Sequence, residues 1–135
     1  MAAPLFQRQQ RGMLLTPDPE LGALFKRLWD PLEVEWTVIA RGRRAMEAIF
    51  NEPPDILVVD NRLPDIPSAE VAAIVKSENV YRQMPVILCL DRADLEREWN
   101  WNEIEADDFL VRPFTDREAK QRVQLTLCRA TRAMT

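Results

Sequence analysis

A single carboxylate stands at the end of an apolar run in this chain. The segment "DILVVDNRLPD", residues 55–65, has four consecutive apolar residues followed directly by Asp60. An apolar run this short, bounded by turn residues, is typical of a strand buried on both faces. A carboxylate at the carboxyl end of such a strand can act as an acceptor, a metal ligand or a helix cap, and its position alone leaves all three open.

The elements that must position Asp60 follow from the hydrophobic periodicity. Strands are predicted at 12–16, 34–40, 56–59, 85–90 and 108–111, with 34–40 as an edge strand because its residues alternate. Helices are predicted after the N-cap Asp18, from residue 43 to a stop at Pro53-Pro54, after the cap Ser68, over 93–106, and from the cap Thr115 to 134. Five alternations of strand and helix indicate an α/β fold, a three-layer sandwich with a five-stranded parallel sheet.

In that architecture the carboxyl ends of the strands meet at one edge of the sheet, where ligands and chemistry collect. Besides Asp60, the residues expected at this edge are Thr16 and Pro17 after the first strand, Leu90 and Asp91 after the fourth, and Arg112 after the fifth. The candidate chemistry is therefore that of a carboxylate with a hydroxyl and a guanidinium in its neighbourhood.

Composition narrows the chemistry further. The 135 residues carry a formal charge of -4 and include no histidine and three glycines. The absence of histidine excludes Ser-His-Asp and Cys-His nucleophiles and histidine metal sites, and no G-x-G-x-x-G or Walker loop can be written. The acidic balance argues against direct nucleic-acid binding by this domain.

The chain has the length and composition of one soluble domain. No apolar run approaches the ~20 residues that span a bilayer, and the first residues lack the apolar core of a secretion signal. We interpret residues 1–11 as a flexible amino-terminal arm and 12–135 as a single domain. Cys89 and Cys128 have no metal-binding spacing, which favours core thiols and a cytoplasmic location.

Three segments, "PDILVVDNRLPD", "MPVILCL" and "EADDFLVRPF", resemble in their order and spacing the receiver domain of bacterial two-component response regulators. The resemblance covers nearly the whole chain after residue 12 and implies a flavodoxin-like (βα)5 fold. It implies that Asp60 takes a phosphoryl group from a histidine kinase, with Mg²⁺ bridging it to an acidic pair after the first strand. The buried strand then holds the carboxylate fixed for in-line attack.

Several positions depart from the family's pattern, so we interpret the chain as an atypical, pseudo-receiver-like member. Thr16 and Pro17 stand where the family has its acidic pair, and Leu90 stands where a Ser or Thr hydroxyl bonds the phosphoryl oxygen. The family's lysine is Arg112, a planar fork instead of a compact ammonium. Phe109 matches the aromatic switch position on the fifth strand, without a hydroxyl.

These departures predict weak metal binding. Asp60 and, less favourably, Asp18 remain as carboxylate ligands, so we expect Mg²⁺ to bind poorly or not at all. A buried carboxylate without a partner is costly, and we hypothesise that Arg62 or Arg112 pairs with Asp60 and holds the domain in a fixed conformation. The alternative is that Arg62 points to solvent and Asp60 bonds only backbone amides.

The charge pattern suggests an interface. The fourth-helix region carries Asp91, Asp94, Glu96, Glu98, Glu103 and Glu105, and the last helix carries Arg117, Lys120, Arg122, Arg129 and Arg132. Opposite charges on adjoining elements suit a homodimer through the fourth helix, fifth strand and fifth helix, the family's usual output surface, although they suit two solvated faces equally. Trp99 and Trp101 can anchor that interface or cover the core. The apolar spacing of the last helix reaches Met134, as in a helix that continues into an output domain.

Three functions follow from these observations. The favoured one is a degenerate receiver, not an enzyme, that acts as a dimerisation and protein-interaction module with little Mg²⁺-dependent phosphorylation. Its partner would be a sensor histidine kinase or another signalling protein, with no membrane or nucleic-acid contact. The alternatives are a genuine phospho-accepting receiver using Asp60 and a small-molecule-binding α/β domain. The sequence contains no glycine-rich loop or histidine that would support the second alternative.

Overall fold

A computed structural model describes residues 9–30, 32–96 and 104–133. Five strands and five helices alternate along them. The strands are β1 (Gln10–Leu15), β2 (Val34–Ile39), β3 (Ile56–Asp60), β4 (Val86–Leu90) and β5 (Asp108–Val111). The helices are α1 (Pro19–Leu28), α2 (Gly42–Asn51), α3 (Ser68–Ser77), α4 (Arg92–Leu95) and α5 (Asp116–Ala133), with a 3₁₀ turn at Asn79–Tyr81.

The strands form one parallel sheet in the order β2-β1-β3-β4-β5, so the predicted α/β fold is confirmed and β2 is an edge strand as expected. This is the flavodoxin-like order, in which the winding direction reverses between β1 and β3. β3 is buried along its whole length, and so is β4. Thr16 follows β1 and Asp60 ends β3, so both lie at the switch point.

Two apolar clusters fill the space between the sheet and its helices, one on each face. Alternate residues of β3 divide between them, with Leu57 and Val59 in one cluster and Ile56 and Val58 in the other. The second cluster includes a contact set of three aromatic rings, Phe25, Trp29 and Trp36. Because apolar residues cover both faces, polar side chains of β3 can emerge only at its carboxyl end, where Asp60 lies.

Gly12 lets β1 and β2 pair tightly. A Cβ at Gly12 would lie 2.6 Å from the ring of Trp36, its register partner on β2. That distance is below any real carbon contact, so the indole occupies the space a side chain would need. The bulky Trp36 therefore packs over the sheet only because residue 12 has no side chain.

The amino-terminal boundary differs from the prediction. β1 begins at Gln10, and Gln10 and Arg11, interpreted above as part of the arm, pair with Val34 and Glu35 of β2. The sequence does not predict these two strand residues, because their side chains are polar and the apolar run begins only after residue 11. The rest of the predicted arm, residues 1–8, lies outside the described residues.

The cap of α3 and the bounds of α4 also differ from the prediction. Ser68 is the first residue of α3, and Pro67, not Ser68, is the N-cap. α4 comprises Arg92–Leu95, and residues 104–106, predicted as helical, lie outside any helix. Residues 97–103 of that prediction, with Glu98, Trp99, Trp101 and Glu103, lie outside the described part of the chain. By contrast, Asp18 caps α1 and Thr115 accepts a hydrogen bond from the Glu118 backbone at 3.1 Å, as predicted.

Candidate functional site

Asp60 is fully buried at the end of β3 and accepts hydrogen bonds on both carboxylate oxygens. The Thr16 hydroxyl donates to Oδ2 at 2.6 Å. The backbone N–H of Arg62 donates to Oδ1 at 3.0 Å, and the Arg112 guanidinium donates to the same oxygen. The carboxylate is therefore neutralised by a guanidinium and held by donors that follow the ends of β1, β3 and β5.

Thr16 binds the loop that follows β1 as well as Asp60. Its hydroxyl oxygen also accepts from the backbone N–H of Asp18 at 3.0 Å, which fixes the turn between β1 and α1. The Asp18 carboxylate in turn accepts from the Glu20 backbone at 2.9 Å and caps α1. Asp18, the weaker of the two predicted metal ligands, is thus engaged with its own helix, and Pro17 is exposed.

Arg112 follows β5 and reaches across β4 to the site. Its backbone donates to the Leu90 carbonyl at 2.8 Å, and its side chain is only 16% exposed. Besides Asp60, the guanidinium donates from Nη1 to Asn61 Oδ1 at 3.0 Å. Burial by itself would lower the pKa of Arg112, but the hydrogen bond and the charge of Asp60 outweigh it, so this pKa lies above its usual value.

Arg62 contributes to Asp60 through its backbone only. Its side chain is about half exposed and turns to Asp91, with Nη2 at 2.9 Å from Oδ1 and Nε at 3.4 Å from Oδ2. Of the two arginines that the sequence leaves open as partners of Asp60, the structure pairs Arg112. Burial of the Asp91 carboxyl by itself would raise its pKa. The hydrogen bonds from Asn61 and Arg62 outweigh this effect, so the pKa of Asp91 lies below its usual value.

Asn61 is a polar site residue that the sequence reasoning missed. Its amide nitrogen donates to Asp91 Oδ2 at 3.2 Å and also to Asp94 Oδ2, while its oxygen accepts from Arg112. Asp91 and Asp94 form a reciprocal capping box at the start of α4. The spacing "D-R-A-D" is a signal for such a box, but it does not reveal that Asn61 binds both acids.

The remaining predicted positions are apolar. Leu90 is fully buried in a core cluster, and Phe109 is half-buried and packs against the same cluster. Cys89 lies beside Asp60 in the sheet register, and burial raises the pKa of its thiol to about 12. This thiol is therefore protonated at neutral pH and unreactive.

Asp65, the second aspartate of "LPD", is a further residue that the sequence reasoning did not single out. Its two carboxylate oxygens accept from the backbone N–H groups of Gly42 and Arg43 at 2.8 and 3.0 Å. Those groups begin α2, whose own N-cap residue, Arg41, provides no side-chain cap. Asp65 thus caps α2 from a distant loop, and these backbone hydrogen bonds lower its pKa.

The side chains around Asp60 do not fit the ligand set of a hard divalent cation such as Mg²⁺. Asp60 shares Oδ1 with a guanidinium, and a cation placed there would lie against the positive charge of Arg112. Among residues 9–30, 32–96 and 104–133, no group of three or more acidic or thiol side chains converges as a metal site. A magnesium site generally uses one or two carboxylates together with an octahedral shell of waters or phosphates, and Asp60 alone, paired in this way, does not provide it.

The sheet order, with an aspartate at the end of β3, places the chain in the flavodoxin-like class of α/β domains. The sequence pattern of the response regulator receiver domain matches residues 18–124, most of the chain. The chain belongs to this family. None of the helices in the described residues combines the length and the hydropathy that a membrane-spanning segment requires.

Curated relatives share this region. The regulatory protein LuxO of Vibrio cholerae is 27% identical over 93 residues, which is 69% of this chain and 20% of that protein. The sensor histidine kinase TmoS of Ectopseudomonas mendocina is 24% identical over 123 residues, 89% of this chain and 12% of the kinase. This chain thus spans a fifth or less of the length of these relatives, which include both a regulator and a kinase.

Solved structures share the fold. A putative response regulator from Chloroflexus aurantiacus superposes with a TM-score of 0.81 at 21% identity, covering 90% of this chain and 99% of that one. The receiver domain of a putative LuxO repressor from Vibrio parahaemolyticus gives a TM-score of 0.79 at 24% identity, covering 91% and 93%. A receiver domain of a sensor histidine kinase from Pseudomonas aeruginosa, with magnesium coordinated in its active-site cleft, gives 0.75 at 21% identity, covering 88% and 98%.

Proposed function

We propose that this receiver domain works without efficient phosphorylation, as a dimerisation and protein-interaction module of two-component signalling. The observation that carries the proposal is the pairing of Asp60 with Arg112. In phosphoryl transfer, the positive charge that stabilises the transferring oxygens usually comes from a metal. Here a fixed guanidinium already neutralises the carboxylate, and it competes with any cation for the same oxygen.

Thr16 supports the proposal independently. An acid at this position would repel Asp60 in the absence of a metal, whereas the Thr16 hydroxyl donates to Asp60 directly. Because hydroxyl and guanidinium together satisfy a buried carboxylate, the domain has no need of an ion to be stable. The module is not an enzyme in this proposal and uses no resident cofactor.

The alternative is a genuine phospho-acceptor. It is favoured by the place of Asp60 at the end of β3, and by the coordinated magnesium in the cleft of the Pseudomonas relative. In this alternative Arg112 would have to leave Asp60 before attack, so that the carboxylate could act as nucleophile.

The two functions are separated by incubation with acetyl phosphate and Mg²⁺, followed by intact mass measurement. The proposed function predicts no added phosphoryl mass under conditions that label an ordinary receiver domain run in parallel. Labelling that disappears in Asp60→Ala would overturn it and establish the alternative. Beryllofluoride titration followed by NMR gives a second readout that does not depend on the lifetime of an acyl phosphate.

A gain-of-function variant sharpens this test. Thr16→Asp/Pro17→Asp/Arg112→Lys rebuilds the family's acidic pair and replaces the fork with an ammonium. If the site is degenerate for the reasons given, this variant takes up label from acetyl phosphate in the presence of Mg²⁺ and the parent does not. The same variant with Asp60→Ala is the control. Failure to label a folded triple variant would mean that other residues limit the chemistry.

We also propose that the module pairs with a second copy through α4, β5 and α5, acts in the cytoplasm, and receives its signal from a histidine kinase or another signalling protein. The structure modifies the charge argument for the dimer. Asp91 and Asp94 are engaged at the Asp60 site, and Arg122 pairs with Asp108 at 3.3 Å. Of the charged residues on which the dimer prediction rests, those left for an interface among the described side chains are Glu96, Glu105, Arg117, Lys120 and Arg129. Arg92 of α4 and Asp116 and Glu118 of α5 are exposed charges of the opposite sign on the same elements.

A further inference from the structure

Asn61 lies between the Asp60 site and the start of α4. Its side-chain oxygen accepts from Arg112 Nη1 at 3.0 Å, and its side-chain nitrogen donates to Asp91 Oδ2 at 3.2 Å and to Asp94 Oδ2. Its backbone N–H donates to the Cys89 carbonyl at 3.0 Å, which fixes the residue beside β4. One amide thus joins the guanidinium that holds Asp60 to both members of the α4 capping box.

Only an amide suits this position. Arginine presents donors alone and a carboxylate presents acceptors alone, whereas an amide carries one acceptor and two donors on a single planar group. An aspartate at residue 61 would repel Asp91 and Asp94, and an apolar residue would bind neither side. The donor and acceptor requirements on the two sides of Asn61 are therefore matched by its own chemistry.

The last side chain of β4 provides no polar link between Asp60 and α4. Leu90 stands there, fully buried, and offers no hydrogen bond from its side chain. Arg112 also approaches Asp91 Oδ1 directly, but at 3.5 Å, the outer limit of a hydrogen bond. Beside this long contact, the path Asp60–Arg112–Asn61–Asp94 joins Asp60 to α4 through shorter side-chain hydrogen bonds.

We propose that Asn61 is a positioning residue that transmits the state of Asp60 to the start of α4. The inference rests on the proposed function, because it takes the Asp60–Arg112 pair as the resting state. If Asp60 loses its charge by mutation, Arg112 loses its partner and moves toward Asp91. Asn61 then reorients, and the capping box that it binds shifts with it. α4 thereby responds to Asp60 without a hydroxyl at residue 90.

The test is a double-mutant cycle read by two-dimensional NMR of the whole chain. The four proteins are the parent, Asp60→Asn, Asn61→Ala, and the double variant. Asp60→Asn is expected to shift the backbone amides of residues 91–96 in the parent background. In the Asn61→Ala background the same change is expected to shift them by roughly a third as much, since coupling residues are non-additive.

Matched controls separate transmission from general loosening. Asp65→Asn removes another carboxylate of the β3–α3 loop that contacts α2 and not Asn61, so its shifts at 91–96 are expected to be small in both backgrounds. Asn61→Ser replaces Asn61→Ala if the latter does not fold, because a serine hydroxyl is too short to join both sides. Equal shifts at 91–96 in both backgrounds would overturn the proposal.

The acetyl phosphate reaction, run on the same four proteins, keeps the two claims distinct. Labelling of the parent would overturn the proposed function, because the pair would then be a state that the chain leaves readily. Additive shifts without labelling would overturn the role of Asn61 and leave the proposed function standing. Non-additive shifts without labelling support both.

Discussion

At the scale of single residues, the fully buried carboxylate of Asp60 pairs with the largely buried guanidinium of Arg112. Arg112→Ala removes the ionic partner of Asp60, and loss of one member of a buried pair costs about 3–5 kcal/mol of unfolding free energy. Arg62→Ala is the matched control, because its side chain makes an exposed pair with Asp91, worth about 0–1 kcal/mol. Urea denaturation of both variants measures the difference. Equal losses would mean that Arg112 does not neutralise Asp60.

Thr16 gives a second prediction at this scale. Thr16→Val keeps the shape of the side chain but removes the donor to Asp60, and hydrogen bonds to charged groups contribute about 1.5–3 kcal/mol. Thr16→Ser retains the hydroxyl and is expected to lose much less stability. The free energies of unfolding of the two variants, measured at neutral pH, test this. A serine variant as unstable as the valine variant would assign the effect to packing.

The sequence predicted the contents of this site better than its contacts. The strand pattern placed Asp60, Thr16 and Arg112 at one edge of the sheet, because the period of an apolar strand is robust. It did not decide between Arg62 and Arg112, since both are within reach and only the packing of β4 and β5 fixes which guanidinium is buried. Asn61 was missed because a lone polar residue after a strand is also what any turn contains.

At the scale of elements, α2 depends on a residue far from it in sequence. Asp65 caps α2, and its pKa in the folded state lies below the ordinary value of 3.8. A carboxyl with a lowered folded pKa stabilises the fold above its unfolded pKa, and this stabilisation is lost as the pH falls through the folded pKa. We therefore expect Asp65→Asn to be less stable than the parent at neutral pH.

The same linkage fixes the pH dependence. The stability difference between the parent and Asp65→Asn is expected to shrink as the pH falls through 3.8 toward the lower pKa of the folded state, because the parent alone loses this contribution. Asp91, which also has a lowered pKa, is present in both proteins and cancels. Glu47→Gln, which removes an exposed carboxylate of α2 itself, is the control. A difference that stays constant with pH would argue against the cap.

Element boundaries were predictable where local chemistry sets them. Asp18 and Thr115 cap α1 and α5 because their side chains reach their own helix starts. Ser68 is not the cap that its residue type predicts, since Pro67, with φ -58° and ψ 141°, is the last residue before the helix. The start of β1 was missed for the opposite reason. Pairing with β2, not side-chain character, makes Gln10 and Arg11 a strand.

At the scale of the whole molecule, the proposed dimer depends on charges outside the site. Exposed acids at Glu96 and Glu105 would face exposed bases at Arg117 and Arg129 across a two-fold axis. Sedimentation equilibrium is expected to show association at low salt that weakens on raising the salt to several hundred millimolar, where the Debye length falls below about 8 Å. Arg117→Glu is expected to weaken it further.

Arg43→Glu serves as the control for that experiment, because Arg43 lies on α2 at the opposite side of the sheet order and is also exposed. It changes the net charge as much as Arg117→Glu and should leave association nearly unchanged. A monomer at low salt would remove the basis for the interface and leave the two charged regions as solvated faces.

A buried lysine, Lys76, lies at the end of the sheet opposite Asp60 and links three segments of the fold. Lys76 of α3 donates to the carbonyls of Arg82 and Met84 and pairs with Asp107 at 2.8 Å, and Asp107 also accepts from the Val86 backbone at 2.7 Å. An ammonium can leave water only when all of these acceptors are assembled. α3, β4 and the entry to β5 should therefore open and close as one cooperative folding unit. In Lys76→Met, we expect the exchange protection of the amides of residues 86 and 107 to fall together.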